Sequence, residues 1–405
     1  MFLTKNETKT FFKSCKKKIC LFGGGHIADK TIEYLISFNL KVANIVDNSK
    51  PIQGSKQNNI LISSPINLKK KLKNNFIIIT TTSFNDVSDQ LKKYGLKEYK
   101  DYIVSPVLND LEIVQKLETY EGKFIFSSGS PKNIDPNYGG GIYLLNIKGD
   151  KFKCEKKISG HTYGFIEYRK NKYVAVDSNL GIFEFDKNFK ILRKKKLNKD
   201  FRAHGIAYYK KNKSFFIVCS YADKIIQLDE DLNFIDEISL SSKFSQNGKP
   251  SHHMNDCYIV GDSLFVSMFS VSGNWKLDVF DGGIVEIDLN NKKKINIINN
   301  NLWMPHSITL IDNSLTVLES LRGKLLSNNF QTIGQFPGFT RGIDNDENFL
   351  FIGQSRNRNH SKNFGLNMNI AIDTGIIIFD QKTKASRLIQ LNNKISEIHC
   401  LKKLI

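Results

Sequence analysis

The sequence predicts a two-part protein, an α/β Rossmann-like domain with a parallel sheet followed by an all-β six-bladed β-propeller, and three observations predict it. Near the N-terminus an apolar strand, a glycine cluster and an amphipathic helix follow one another, the order a dinucleotide-binding unit needs. Beyond the first third of the chain helical periodicity stops, and a four-strand unit of roughly 40 residues recurs. The first copy of that unit lacks its opening strand, and the C-terminal segment is an opening strand with nothing after it.

At 405 residues the chain has room for more than one core. Its 40% hydrophobic and 24% charged residues are ordinary for globular folding. The net charge of +19 comes from 59 Lys and Arg, only 8 of them Arg. The lysines lie dispersed in short runs, Lys16–Lys18, Lys194–Lys196 and Lys292–Lys294. Base and phosphate recognition favours the arginine fork, so this pattern reads as solvated turns and excludes nucleic acid as the expected partner. The opening residues lack the apolar core of a signal peptide, and no apolar run reaches the length a membrane span needs. A cytoplasmic protein without membrane insertion is the expectation. Six cysteines (Cys15, Cys20, Cys154, Cys219, Cys257, Cys400) are scattered singly, which predicts reduced thiols rather than a disulfide frame or a zinc site.

Residues 1–15 read as an N-terminal tail and residues 16–106 as the first domain. Within KKICLFGGGHIADKTIEYLISFNLKVANIVDNS, Gly23, Gly25 and Ala28 occupy the three positions of G-x-G-x-x-G/A. There they permit a tight turn, backbone approach to a phosphate and close helix packing. Asp47, at the end of the second strand, falls where a carboxylate meets a ribose hydroxyl. A helix from about Pro65, the strand NFIIITTT, a helix over Asn85–Tyr94 and the strand DYIVSP complete an expected five-stranded parallel sheet. Thr80, Thr81 and Thr82 follow the fourth strand at the carboxyl edge, where open α/β sheets bind ligands, and Thr81 joins the candidate cofactor-binding set. The GGGH turn, the VDNS after the second strand and the TTTSF edge resemble the small nucleotide- or sugar-nucleotide-binding domains at the front of bacterial surface-polysaccharide enzymes such as sugar acyltransferases. The resemblance implies a nucleotide or sugar nucleotide as ligand. The alternative is a degenerate domain that docks or dimerises.

Residues 107–121 read as a linker helix, NDLEIVQKLETY, and residues 122–405 as the propeller. FRAHGIAYYKKNKSFFIVCSYADKIIQLDEDLNFIDEISL contains four strand-like runs, and the segment from Gly160 to Leu197 repeats their order. Later copies open at SHHMND, MPHSITLID and FTRGIDND. Five complete blades result, and SEIHCLKKLI supplies the opening strand missing from EGKFIFSSGS, which makes six and removes the open sheet edges. HHMND at 252–256, GGIVEID at 282–288, WMPHS at 303–307, PGFTRG at 337–342 and GQSRNR at 353–358 resemble a conserved bacterial six-bladed propeller family of unknown function, a resemblance that brings no reaction with it.

Opening strands of propeller blades face the axis, and five of the eight histidines stand at blade openings: His161, His204, His253, His306 and His399. The expectation is a polar axial pocket with His204, His253, His306 and Arg341 as candidate catalytic or binding residues. His204, His253 and His306 in one space could also hold a divalent metal, as propellers acting as lyases do, with Asn255, Asp256, Asp177 and Glu319 as further oxygen donors. Arg202, Arg341 and Arg356 beside these positions point to a small anionic ligand such as a sugar acid or sugar phosphate, although for Arg356 alone an inter-blade salt bridge is the better reading. Two function classes follow. One is an enzyme, a metal-dependent lyase, epimerase or hydrolase on an anionic sugar. The other is a binding or non-enzymatic scaffold protein whose first domain senses a nucleotide-linked ligand and whose propeller recruits a protein partner, and within it a ligand-binding role in surface-carbohydrate metabolism is the favoured reading.

Overall fold

The computed structural model describes residues 2–3, 5–14, 16–66, 75–129, 135, 137–243, 246, 248–277, 279–292, 294–358, 360–363 and 369–404. The chain divides into two compact units, Met1–Lys116 and Leu117–Ile405.

In the first unit the strands are β1 (Lys18–Phe22), β2 (Val42–Val46), β3 (Lys56–Gln57), β4 (Ile60–Ser63), β5 (Asn75–Ile79) and β6 (Tyr102–Val104). They form one sheet in the order β3-β4-β2-β1-β5-β6. β1 runs parallel to β2 and β5, β2 to β4, and β5 to β6, whereas β3 is antiparallel to β4. The expected five-stranded parallel sheet is therefore a six-stranded mixed one. Its cause is local: Asn58 and Asn59 both take left-handed conformations (φ 48° and 62°), and that pair of residues reverses the chain at once into a hairpin. Helices are α1 (Lys5–Ser14), α2 (His26–Ile36), α3 (Phe84–Lys93) and α4 (Glu112–Glu118). The stretch 1–15 is more than a tail. Thr8 and Phe12, one turn apart on α1, are buried, and Phe12 packs into the cluster of Ile19, Leu21, Ala28, Leu35 and Ile45. The helix expected from Pro65 falls mostly on residues 67–74, outside the described residues. Within 107–121 the chain makes a 3-10 turn, Pro106–Leu111, before α4.

The second unit is a six-bladed β-propeller of four-stranded antiparallel sheets. The inner strands are Thr162–Arg169, Ala203–Tyr209, Met254–Val260, Pro305–Ile311, Phe339–Asn345 and Cys400–Leu404. The last of these pairs antiparallel with Glu121–Ser128, from Cys400 opposite Ser127 to Leu404 opposite Lys123, and so completes the first blade. Burial explains the composition of each strand. Second strands such as Ser214–Cys219 are covered on both faces and read as continuous apolar text, while the outermost strand Phe234–Ser239 is almost wholly exposed. Charged residues such as Arg193, Lys194 and Lys195 on an outermost strand discourage pairing with another chain.

Candidate functional site

The axial site is built by a repeated irregularity. In four consecutive inner strands the register shifts so that two residues face one on the neighbouring strand, between Ala203 and Ile206, Met254 and Cys257, His306 and Thr309, and Thr340 and Ile343. A bulge of this kind re-aims side chains. The residues inside the bulges are His204 with Gly205, Asn255 with Asp256, Ser307 with Ile308, and Arg341 with Gly342. Hydrogen bonds tie one bulge to the next: Ser307 N donates to Asp256 Oδ2 (2.8 Å), and Gly342 N donates to Ser307 Oγ (2.7 Å). Serines closing second strands brace the inner strand of the following blade, with Ser127 Oγ donating to Tyr163 O (2.7 Å) and Ser355 Oγ to Ile398 O (3.0 Å).

Around these bulges a polar cluster forms. The rings of His204 and His399 are 5.2 Å apart, His204 stacks on Tyr163 at 4.8 Å, and His306 lies 6.1 Å from His204. Arg341 Nη1 stands 3.3 Å from His399 Nε2 and 3.8 Å from Glu397 Oε1. Glu397 Oε2 is 3.0 Å from His399 Nε2, and its other oxygen meets Arg358. Asp256 Oδ1 is 3.9 Å from His204 Nδ1, beyond hydrogen-bond reach. Arg202 lies over the rings of Tyr163 and Tyr221 and donates to the Tyr221 hydroxyl.

Burial sets the charge states. It lowers His204, opposed by the Asp256 carboxylate, and lowers His306 further, with Arg341 adding to the effect. His399 is pushed down to about 3 by burial and by Arg341, against the pull of Glu397. Arg341 comes down to about 10, again through burial, and remains protonated at neutral pH. Glu397 stays ionised because His399, Arg341 and Arg358 outweigh its desolvation. The imidazoles are thus neutral and their tautomers can be assigned. His306 Nδ1 lies 3.0 Å from the Met304 carbonyl and 2.8 Å from Ser320 Oγ, and donation to the carbonyl leaves the lone pair on Nε2. His399 Nε2 donates to ionised Glu397, which leaves the lone pair on Nδ1. The cluster can therefore hold an anion against a guanidinium and offer imidazole lone pairs to a proton or hydroxyl beside it.

Three expectations need correction. His253 does not join the cluster: it precedes its strand with φ 51°, and its ring packs 4.4 Å from Phe269 and 4.5 Å from Trp275. Phe269 stands between it and His306, 5.3 Å from the latter. The metal-ligating set His204, His253 and His306 does not assemble, and among the described residues no three His, Cys, Asp or Glu converge as a metal site. Asp177 and Glu319 are framework groups, and Arg356, expected to be structural, bonds a backbone carbonyl rather than an acid. Asp177 accepts from His161 N, Thr162 Oγ1, Asn179 N and Leu180 N, Glu319 from Trp303 N, and Arg356 donates to Asn393 O. Glu397 is the residue sequence reasoning missed. Its signal was available in SEIH, where residues two apart on extended chain share a side.

In the first unit the glycine turn is already occupied by its own chain. Gly24 N donates to Asp47 Oδ2 (2.6 Å) and Gly25 N to Gln57 Oε1 (2.8 Å), while Gln57 Nε2 returns a bond to Gly25 O (2.7 Å). Asp47 Oδ1 also accepts from Ser49 N, so both its oxygens are engaged. Gly23 is needed because a Cβ there would meet Thr80 O at 2.9 Å, and Ala28, on the buried face of α2, is fully buried. Thr80 Oγ1 donates to Gly23 O (2.6 Å), and Thr81 Oγ1 accepts from Ser83 N at the start of α3.

Residues 160–404, more than half of the chain, match the family described as "Domain of unknown function (DUF4915)". The chain belongs to this family. Ahead of the DUF4915 propeller, residues 15–102 match the family described as "C2185-like, N-terminal". No curated protein sequence matches the chain. Among solved structures, a protein of unknown function from Bacteroides caccae is similar at 11% identity and TM-score 0.46, over 70% of this chain and 99% of that one. A chain of a nidogen/laminin complex is similar at 11% identity and TM-score 0.48, over 71% and 99%. Virginiamycin B lyase from Staphylococcus aureus is similar at 12% identity and TM-score 0.42, over 68% and 90%. Among the described residues no helix is long and apolar enough to cross a membrane.

Proposed function

We propose that the propeller binds a small organic anion at its axis, with Arg341 as the group that holds it. The observation that carries this reading is the incompletely paired, buried guanidinium of Arg341. One carboxylate, Glu397, is shared between two guanidiniums, Arg341 and Arg358, and Arg341 is only 7% exposed with its Nε unpartnered among the described residues. A bound carboxylate or phosphate would complete it bidentately. A thermal-shift panel of acetate, inorganic phosphate and D-glucuronate at low ionic strength tests this. Stabilisation by at least one anion, lost in Arg341→Gln and retained in Arg356→Gln, is expected. No shift with any of them overturns the reading.

For the first unit, a Rossmann-like nucleotide site is supported by the strand–glycine turn–helix order and by the left-handed Gly23 and Gly25 (φ 115° and 104°). A phosphate at α2 competes with Gln57 for the Gly25 amide and with Asp47 for that of Gly24. Gln57→Ala then tightens the binding of uridine or adenosine diphosphate, measured by calorimetry. Absence of binding in both forms leaves the unit a structural element.

A further inference from the structure

From the atoms the axial cluster leaves without partners, we infer that its ligand is a polyhydroxylated acid, a sugar acid whose carboxylate meets Arg341 and whose hydroxyls meet the histidines. This rests on the anion-binding reading above and names its substrate class. Among the described residues, His204 Nδ1, His399 Nδ1, Asn255 Oδ1, Thr340 Oγ1 and Arg341 Nε are buried polar atoms without a hydrogen-bond partner. All five side chains are at least nine-tenths buried, and all stand at or just before the openings of inner strands. An unsatisfied buried polar atom costs about 1–3 kcal/mol, so a ligand that reaches five of them on one ring of strand openings recovers that cost.

The chemistry of the set specifies that partner. Only one of the five, Arg341, is charged, so a single anionic group is called for. The others are neutral: imidazole, amide and hydroxyl. His399 Nδ1 is an acceptor by the tautomer that Glu397 imposes, and Asn255 Oδ1 is an acceptor because its Nδ2 already donates to Pro305 O (3.2 Å). Acceptors of this kind need donor groups on the ligand, and hydroxyls supply them. Inorganic phosphate or a simple carboxylate satisfies Arg341 and leaves the neutral atoms bare. Beside the cluster stand half-buried aromatic rings. They include both tryptophans of the chain: Trp275 packs on His253, and Trp303 belongs to the cluster of Phe269, Met304, Leu321 and Phe339.

Because the chain has only these two tryptophans, intrinsic fluorescence reports on this region and on little else. The full-length protein is titrated with D-glucuronate, D-glucose, acetate and inorganic phosphate. Glucuronate is expected to change the tryptophan emission and to bind at least tenfold more tightly than acetate or phosphate, with glucose weaker still. His399→Ala and Asn255→Ala each lower glucuronate affinity by a larger factor than acetate affinity. Equal affinities for glucuronate and acetate overturn the sugar-acid assignment and leave the anion site standing. No binding of any anion overturns both. The histidine variant is checked against Thr340→Val, which removes a hydroxyl at nearly constant volume and so keeps the test readable if His399→Ala fails to fold.

Discussion

Arg341, Arg358, Glu397 and His399 form one electrostatic unit, and its buried carboxylate is the member whose removal is felt most. Glu397→Gln keeps the shape but leaves two guanidiniums facing an amide, and breaking a buried pair from one side costs about 3–5 kcal/mol. A fall of that size in propeller stability is expected in denaturant titration, and a loss under about 1 kcal/mol contradicts the assignment. The histidines predict a pH profile. Burial lowers His204, His253, His306 and His399 in the folded state, the last to about 3, while unfolded imidazoles take up protons near pH 6.5. Their contribution is therefore complete above about pH 6.5 and is lost as pH falls from there toward the folded values. The propeller melting temperature should drop between pH 7.5 and 5, before carboxylates titrate; a flat profile contradicts this. How far the sequence revealed these residues depends on register. Anchoring the repeats on histidine set His204, His306 and Arg341 on inner strands, where they lie in the structure. It also aligned His253 with His204, whereas the pairing of Met254 with Met268, like that of Ala203 with Cys219, makes Asn255 the counterpart of His204. The slip is of two residues, so it set the expected site residue ahead of the strand, where His253 takes a left-handed φ of 51° and packs on Phe269 and Trp275.

At the scale of elements, the glycine turn between β1 and α2 separates two kinds of constraint. Gly23→Ala meets both a left-handed φ of 115° and a backbone oxygen at 2.9 Å, whereas Gly25→Ala meets only its φ of 104°, with nothing within 4 Å. Both substitutions carry the backbone cost of about 1–2 kcal/mol, and only the first adds a clash with Thr80 that the sheet must yield to absorb. Melting of the first unit should fall more for Gly23→Ala than for Gly25→Ala, and the reverse order contradicts the geometry. The strands and helices flanking this turn were legible because apolar runs and amphipathic spacing mark them directly. The hairpin of β3 and β4 was not: β3 is two residues long, below what a period-two pattern can show, and only the Asn58-Asn59 pair announced it. The inner-strand bulges were equally hidden, since a bulge breaks the alternation by which strands are read.

Across the whole propeller, repetition carried the sequence reading, because each blade must bury the same two faces and so repeats the same apolar text. Closure was legible from an opening strand left over at one end and missing at the other. Removing Cys400–Leu404 exposes the edge of Glu121–Ser128 and deletes the strand beside Phe339–Asn345, so the propeller transition should weaken or vanish in calorimetry. An unchanged transition contradicts the closed ring. The same pairing has a consequence for how the protein is made. Cys400 N donates to Ser127 Oγ across 273 residues of chain, so a ribosome must finish five blades while the first waits with a bare edge. A fold completed only at so great a sequence separation assembles late and slowly, and its growing chain is exposed to mispairing with neighbouring nascent copies for most of synthesis.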